Sequence, residues 1–139
     1  MDRKVLLASH GRLAEGMADS LQYIIGKLDN VDTMCAYTNP DFNLEEEVKT
    51  LFRRKEAENF ELIVFTDIYG GSVNNEFMKF LRNETFCLVS NMNFATIVEI
   101  LLHQGEISAE FIRSVVDKQS SRPVFCNELW EIGIQEDSL

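Results

Sequence analysis

Apolar residues recur along this chain in two alternating rhythms. Short unbroken runs alternate with longer stretches that place one apolar residue every three or four positions. The first run, Val5-Leu6-Leu7-Ala8-Ser9, predicts a strand and ends at His10-Gly11. An amphipathic segment begins near Leu13, and its Leu13, Met17, Leu21, Ile24, Ile25 and Leu28 share one helix face. Gly16 inside it costs about 1 kcal/mol of helix propensity, and it is expected to permit a close approach to the sheet. Thr33–Tyr37 predicts a second strand, ended by Asn39-Pro40. Asn43 is placed to cap a helix that turns Leu44, Val48, Leu51 and Phe52 inward.

Leu62-Ile63-Val64-Phe65 is the least ambiguous strand, because a short, continuous, branched run suits burial on both faces. It runs into Thr66-Asp67-Ile68-Tyr69-Gly70-Gly71-Ser72 and then a helix over about Val73–Leu81. Thr85–Ser90 predicts a fourth strand, followed by a helix over Ile97–Gln104 with Gly105 as its C-cap. Ser108 is expected to cap a last helix reaching about Lys118, and Pro123-Val124-Phe125 to start a final strand. Glu131 to Leu139 is weakly periodic and reads as a frayed tail. No internal repeat, low-complexity segment or linker interrupts the pattern, so residues 1–139 read as a single domain.

Four strand–helix units with buried strands predict an α/β fold: a doubly wound, mainly parallel four-stranded sheet of order 2-1-3-4. Helices would cover both faces, and a C-terminal antiparallel edge strand could be added. In that order strands one and three are neighbours, and a ligand crevice opens where the winding reverses. The loops leaving those two strands carry His10 and Asp67, which topology therefore brings together.

Charge and composition narrow the chemistry. There are 13 Lys and Arg against 23 Asp and Glu, a formal net charge of −10. A nucleic-acid partner is disfavoured, since phosphate backbones call for clustered basic residues. A basic protein partner is compatible, although solubility explains the charge more simply. Cys35, Cys87 and Cys126 are odd in number, far apart and free of CxxC spacing, so the chain reads as a reduced, cytoplasmic protein. The basic start Met1-Asp2-Arg3-Lys4 is followed by too short an apolar run for a signal peptide, and no stretch reaches membrane-span length.

His10 is the residue best placed for chemistry, as a nucleophile, a general base or a metal ligand; the plain alternative is an imidazole bonded to loop backbone. Asp67 could accept a hydrogen bond from Nδ1–H of His10, fix the tautomer and leave the Nε2 lone pair free. Otherwise it is an aspartate in a turn. Gly70-Gly71-Ser72 lets backbone N–H groups converge on an anion, with a serine hydroxyl beside them, yet a Gly-Gly turn with a Ser cap is common. It is neither a Walker loop nor GxGxxG, so no nucleotide is required. His103 reads as structural, at a helix C-terminus, and two histidines without an HExxH pair argue against a catalytic zinc. Glu45 with Lys49 and Arg54 with Glu58 have the spacing of exposed helix pairs. An imidazole, an orienting carboxylate and an anion cradle, with only Arg12 as a nearby base, could accept a phosphoryl group on His10 and release it again.

These residues resemble a known family. Val5-Leu6-Leu7-Ala8-Ser9-His10-Gly11, Leu13-Ala14, Gly16-Met17, Asp67-Ile68-Tyr69-Gly70-Gly71-Ser72 and Asn75, with Met92-Asn93 before Ile97-Val98-Glu99, are similar to the mannose-family enzyme IIA (EIIA) of the bacterial phosphoenolpyruvate-dependent sugar phosphotransferase system (PTS). The similarity covers roughly residues 4–104. It implies that His10 accepts a phosphoryl group from the carrier HPr and passes it to the cognate IIB component (EIIB). Sugar would be phosphorylated later, during uptake through membrane IIC and IID components. It further implies that Asp67 orients His10, that Gly11, Gly70, Gly71 and Ser72 surround the phosphoryl group, and that no metal or other cofactor is involved. The family often forms a homodimer through its C-terminal part. This chain departs from the family at Asn93-Phe94-Ala95, where a proline is common, and over Arg122–Leu139. Three alternatives stay open: an EIIA-like donor or regulatory domain serving dihydroxyacetone kinase, a histidine phosphatase, and a non-catalytic interaction domain. The phosphatase is disfavoured by Ser9-His10-Gly11 where such enzymes carry Arg-His-Gly, and a receiver domain by the lack of an acidic pair after the first strand.

Overall fold

Five consecutive residues, Val5 to Ser9, have almost no solvent exposure, so the first strand must be covered on both faces. The computed structural model describes residues 1–131 and shows how. Strand β1 (Arg3–His10) lies between β2 (Val31–Ala36) and β3 (Glu61–Thr66), and β4 (Cys87–Val89) pairs with β3, in the order β2-β1-β3-β4. All three pairings are parallel. The expected sheet is the observed one.

Side-chain parity divides the core in two. Val5, Leu7, Ile63, Phe65 and Val89 pack against α1 (Leu13–Ile25), α4 (Phe94–Leu102) and α5 (Ala109–Val116). Leu6, Ala8, Leu62 and Val64 pack on the opposite face against α2 (Leu44–Glu58) and α3 (Ser72–Met78), through Val48, Phe52, Val73 and Phe77. A strand alternates its side chains between faces, so the run needs apolar residues at both parities.

Caps set several boundaries. Asn43 Oδ1 accepts from the Glu46 N–H at 3.1 Å, Asn93 Oδ1 from Thr96 at 2.9 Å and Ser108 Oγ from Phe111 at 3.0 Å. The Asn93 cap starts α4 at Phe94, three residues before the expected Ile97. That helix ends at Leu102, and His103 rather than Gly105 is its C-cap. The Gly105 carbonyl instead accepts from Arg3, which also reaches the His103 carbonyl and pairs with Glu61. The expected exposed pairs form, Lys49 with Glu45 at 2.8 Å and Arg54 with Glu58 at 3.3 Å.

Three expectations need correction. The fourth strand is shorter than Thr85–Ser90, because Phe86 leaves the ladder to meet the Phe52 ring edge-on at 4.9 Å. α3 stops at Met78 rather than Leu81, where three-residue turns from Phe77 and Met78 tighten the chain. No strand starts at Pro123-Val124-Phe125: the backbone there is irregular, Val124 and Phe125 are exposed, and α6 (Cys126–Glu131) follows a 3₁₀ turn (Gln119–Ser121). With those side chains in solvent, no buried face holds an extended segment against the sheet. The rest of the expected edge strand and tail, 132–139, lies outside the described residues.

Helix α1 also differs in detail. Leu13 and Ile24 are exposed, and the inward face is Ala14, Met17, Ala18, Leu21 and Ile25. Gly16 is exposed, and a Cβ there would meet nothing within 4 Å, so no close approach to the sheet explains it. Gly16→Ala should therefore recover the propensity difference, about 1 kcal/mol. That corresponds to a rise of about 4 °C in the melting temperature, read by thermal denaturation. An unchanged or lower value would contradict this account.

Candidate functional site

His10 is the last residue of β1, and its register partner in β2 is Ala36. Asp67 is the first residue beyond β3. Parallel neighbours end at the same edge, so the two side chains meet where the winding reverses. Asp67 Oδ2 accepts from both the backbone N–H of His10 and its Nδ1–H, each at 2.8 Å. Asp67 Oδ1 accepts from the N–H of Ile68 at 3.0 Å. Burial alone would push the Asp67 carboxyl up, but these donors and the positive charge available to His10 outweigh it and hold the group below its ordinary value of 3.8. An ionised carboxylate only accepts, so Nδ1 carries the proton and Nε2 of the neutral ring presents its lone pair.

That lone pair points at Ser72, whose Oγ lies 3.1 Å from Nε2. The His10 side chain keeps 42% of its surface exposed and that of Asp67 only 11%, so the imidazole is open to solvent while the carboxylate that holds it is largely covered. The site sits on open surface. A broad groove of about 1180 Å³ runs beside β2, lined by residues including Lys4, Thr33 and Arg54, and His10 lines neither it nor a small apolar hollow at Cys87 and Val116. Such a histidine suits a group delivered by another macromolecule better than an engulfed small substrate.

The glycines act differently from one another. The Gly11 N–H donates to the Ala36 carbonyl at 2.9 Å and the Gly71 N–H to the Ile68 carbonyl at 3.2 Å. Among the described residues the N–H groups of Gly70 and Ser72 donate to no protein acceptor. Gly11 and Gly70 hold left-handed backbone, with φ of 63° and 83°. At Gly71 the constraint is space: an added Cβ would lie 2.8 Å from Ile68 Cγ2 and 3.2 Å from His10 Cε1. The Ile68 methyl can yield, whereas the His10 ring is held by Asp67. Gly71→Ala should displace the ring by a few tenths of an ångström with the fold retained, read as shifts of the His10 ring resonances. Unmoved resonances would remove this steric role.

Several site residues escaped the sequence reading. Ser9 is fully buried, and its Oγ accepts from the Ala14 N–H at 2.8 Å while donating to the Gly11 carbonyl at 3.1 Å. It caps α1 from inside β1, a role its place in an apolar run conceals. Asn74 is buried under the site, and its Oδ1 accepts from Thr66 at 2.7 Å and from Ser90, while its Nδ2 has no partner. Asn91 Oδ1 accepts from the Tyr69 N–H at 2.8 Å and so steadies the loop after β3. Tyr37 stands beside His10, with ring centroids 5.7 Å apart. Arg12 pairs with Glu15 at 3.5 Å instead of entering the site. His103 stacks on Phe111 and lies 3.1 Å from the Glu106 carbonyl, a structural use. Among the described residues no three His, Cys, Asp or Glu side chains gather as a metal site, and no helix is long and apolar enough to cross a membrane.

Fold and site together define a doubly wound α/β protein that presents a carboxylate-held imidazole at its switch point. The family model EIIA-man, PTS system fructose IIA component, matches residues 4–116, and the chain belongs to that family. It is a phosphotransferase-system component of the IIA kind, in the mannose family. The match extends past the expected residue 104.

Solved structures agree. The chain is 37% identical to a provisionally assigned phosphoenolpyruvate-dependent sugar PTS permease from Klebsiella pneumoniae, covering 93% of this chain and 94% of that one with a TM-score of 0.83. A PTS IIA protein associated with the fucose utilization operon of Streptococcus pneumoniae is 27% identical over 93% and 97% of the two chains, with a TM-score of 0.72. The mannose/sorbose-specific IIA subunit from Enterococcus faecalis is 26% identical over 90% and 96%, with a TM-score of 0.73. No curated protein matches at a significant level.

Proposed function

We propose that this chain is a phosphoryl carrier in which Nε2 of His10 takes a phosphoryl group from phospho-HPr and passes it to a cognate EIIB component. The observation that carries this reading is the half-exposed His10 imidazole, with Nδ1 protonated and held by Asp67 and Nε2 turned to Ser72. On loading, the Nε2 lone pair forms the N–P bond while the bond from phosphorus to the donor breaks and its electron pair returns to the donor. On discharge, a nucleophile of the receiver bonds to phosphorus and the N–P electron pair returns to Nε2. Asp67 stabilises the positive charge that grows on the ring as Nε2 is substituted. The free N–H groups of Gly70 and Ser72, with the Ser72 hydroxyl, would meet the phosphoryl oxygens, and the turns at Gly11 and Gly71 leave room for them.

Family membership supports the choice of donor and receiver. The surface fits protein partners too: Leu13 at the start of α1 and Ile68 and Tyr69 on the loop after β3 are exposed apolar residues flanking His10. The net charge of −10 suits a basic partner. On this reading residues 1–139 act as one cytoplasmic EIIA domain, coupled to sugar uptake through IIB and membrane IIC and IID components.

The test is incubation with phosphoenolpyruvate, enzyme I and HPr, with mass spectrometry under alkaline conditions. One acid-labile phosphoryl group on His10, discharged by a cognate EIIB, is expected. Absence of label would overturn the carrier reading. Continuous release of inorganic phosphate without EIIB would favour a phosphatase, and discharge only to a dihydroxyacetone kinase would reassign the receiver.

A further inference from the structure

Tyr37 adopts a conformation a tyrosine rarely takes. It follows the last residue of β2, and its φ of 67° places it in the left-handed region. Bulky side chains avoid that region, and such outliers concentrate at functional sites. The turn is held from both sides: the Thr38 hydroxyl donates to the Cys35 carbonyl at 2.9 Å, and the Tyr37 ring meets Phe42 edge-on at 5.7 Å. The result is a half-exposed residue, 53% accessible, whose hydroxyl lies 2.8 Å from Ser72 Oγ.

Proton counting orients this chain of hydrogen bonds. Asp67 fixes the proton of the neutral imidazole on Nδ1, so Nε2 must accept and Ser72 must donate to it. Ser72 has one proton, so its bond to Tyr37 is one in which the phenol donates. We propose that Tyr37 is a positioning residue of the phosphoryl site, acting through Ser72. Its O–H occupies a lone pair of Ser72 and commits the serine proton to His10 Nε2, and afterwards to a phosphoryl oxygen at that place. Without the phenol the serine hydroxyl is free to rotate. This role rests on the carrier reading above for its kinetic consequence, but not for its geometry.

Tyr37→Phe keeps the ring, its contact with Phe42 and the steric demand on the backbone, and removes only the hydroxyl. Two measurements test it. In the free protein, the ¹⁵N resonance of His10 Nε2, observed where the ring is neutral, should move downfield as its hydrogen bond weakens. In the labelling reaction, with phospho-HPr and separately with phosphoramidate as a small donor, Tyr37→Phe should load His10 about fivefold more slowly. Combined with Ser72→Ala, it should add no further slowing, since the two act as a unit. An unmoved resonance with unchanged loading would overturn the proposal, and so would slowing that multiplies fully with that of Ser72→Ala. Slowing with phospho-HPr alone would reassign Tyr37 to partner docking. If the unaltered protein takes no phosphoryl group from either donor, the carrier reading fails, and the resonance alone decides on Tyr37.

Discussion

The His10→Ala variant is expected to take no phosphoryl group from phospho-HPr, a loss of the whole signal and not a reduction. Nothing else at the switch point can replace it: the other described histidine, His103, stacks on Phe111 beyond the far end of α4. The fold should survive. His10 is at the end of a strand with its side chain 42% exposed, so truncation removes little buried apolar surface. It does leave the Asp67 carboxylate without its Nδ1 donor, a loss of about 1–3 kcal/mol for a charged hydrogen bond. A circular dichroism spectrum like that of the unaltered chain, with no label in the intact mass, is the expected pair of results. Full labelling of the variant would sink the assignment of His10 as acceptor.

Asp67→Asn should be the next most damaging change, slowing phosphoryl transfer by about 10²–10⁴-fold. The two side chains have almost the same shape, so the loss is electronic. An asparagine amide can donate to Nδ1, which would move the ring proton to Nε2 and occupy the lone pair that must attack phosphorus. It also supplies no negative charge to the imidazolium that forms. Rapid-quench measurement of His10 loading would detect the change, and a rate within twofold of the original would remove Asp67 from its orienting role.

The same variant has a stability signature. The folded carboxyl titrates below its ordinary value of 3.8, so its ionised form is favoured by folding. That contribution is fully present above the unfolded value and lost as pH falls through the lower folded one. The stability gap between the original and Asp67→Asn is read by urea denaturation across the acid range. It should narrow below about pH 3.8.

Most of the sheet was legible because periodicity and run length respond to burial. Leu62–Phe65 could hardly be anything but a strand covered on both faces, and His10 and Asp67 followed from the order of the strands. What escaped belongs to two kinds of contact that a linear pattern does not encode. One is a polar side chain used from a distance, such as Ser9 capping α1 from five residues upstream or Asn74 joining β3 to β4. The other is a residue whose meaning depends on backbone angle. Tyr37 read as the last residue of a strand, where its aromatic character fits, yet its left-handed φ turns the ring toward Ser72. Gly16 shows the converse, since a helix glycine invites a packing explanation that open solvent denies. The C-terminal strand expected at Pro123 did not form because Val124 and Phe125 stay exposed and give an extended segment no buried face.

Asn74 has a mechanical consequence. One carbonyl oxygen takes hydroxyls from Thr66, just before Asp67, and from Ser90, just before the Asn91 that holds Tyr69. Pulling either loop away alone strands a buried oxygen or hydroxyl, which costs more than the bond itself contributes. The two loops are therefore tied to each other through one buried amide. A displacement of the loop at Asn91 and Tyr69 would be resisted by the same oxygen that anchors the end of β3 beside Asp67.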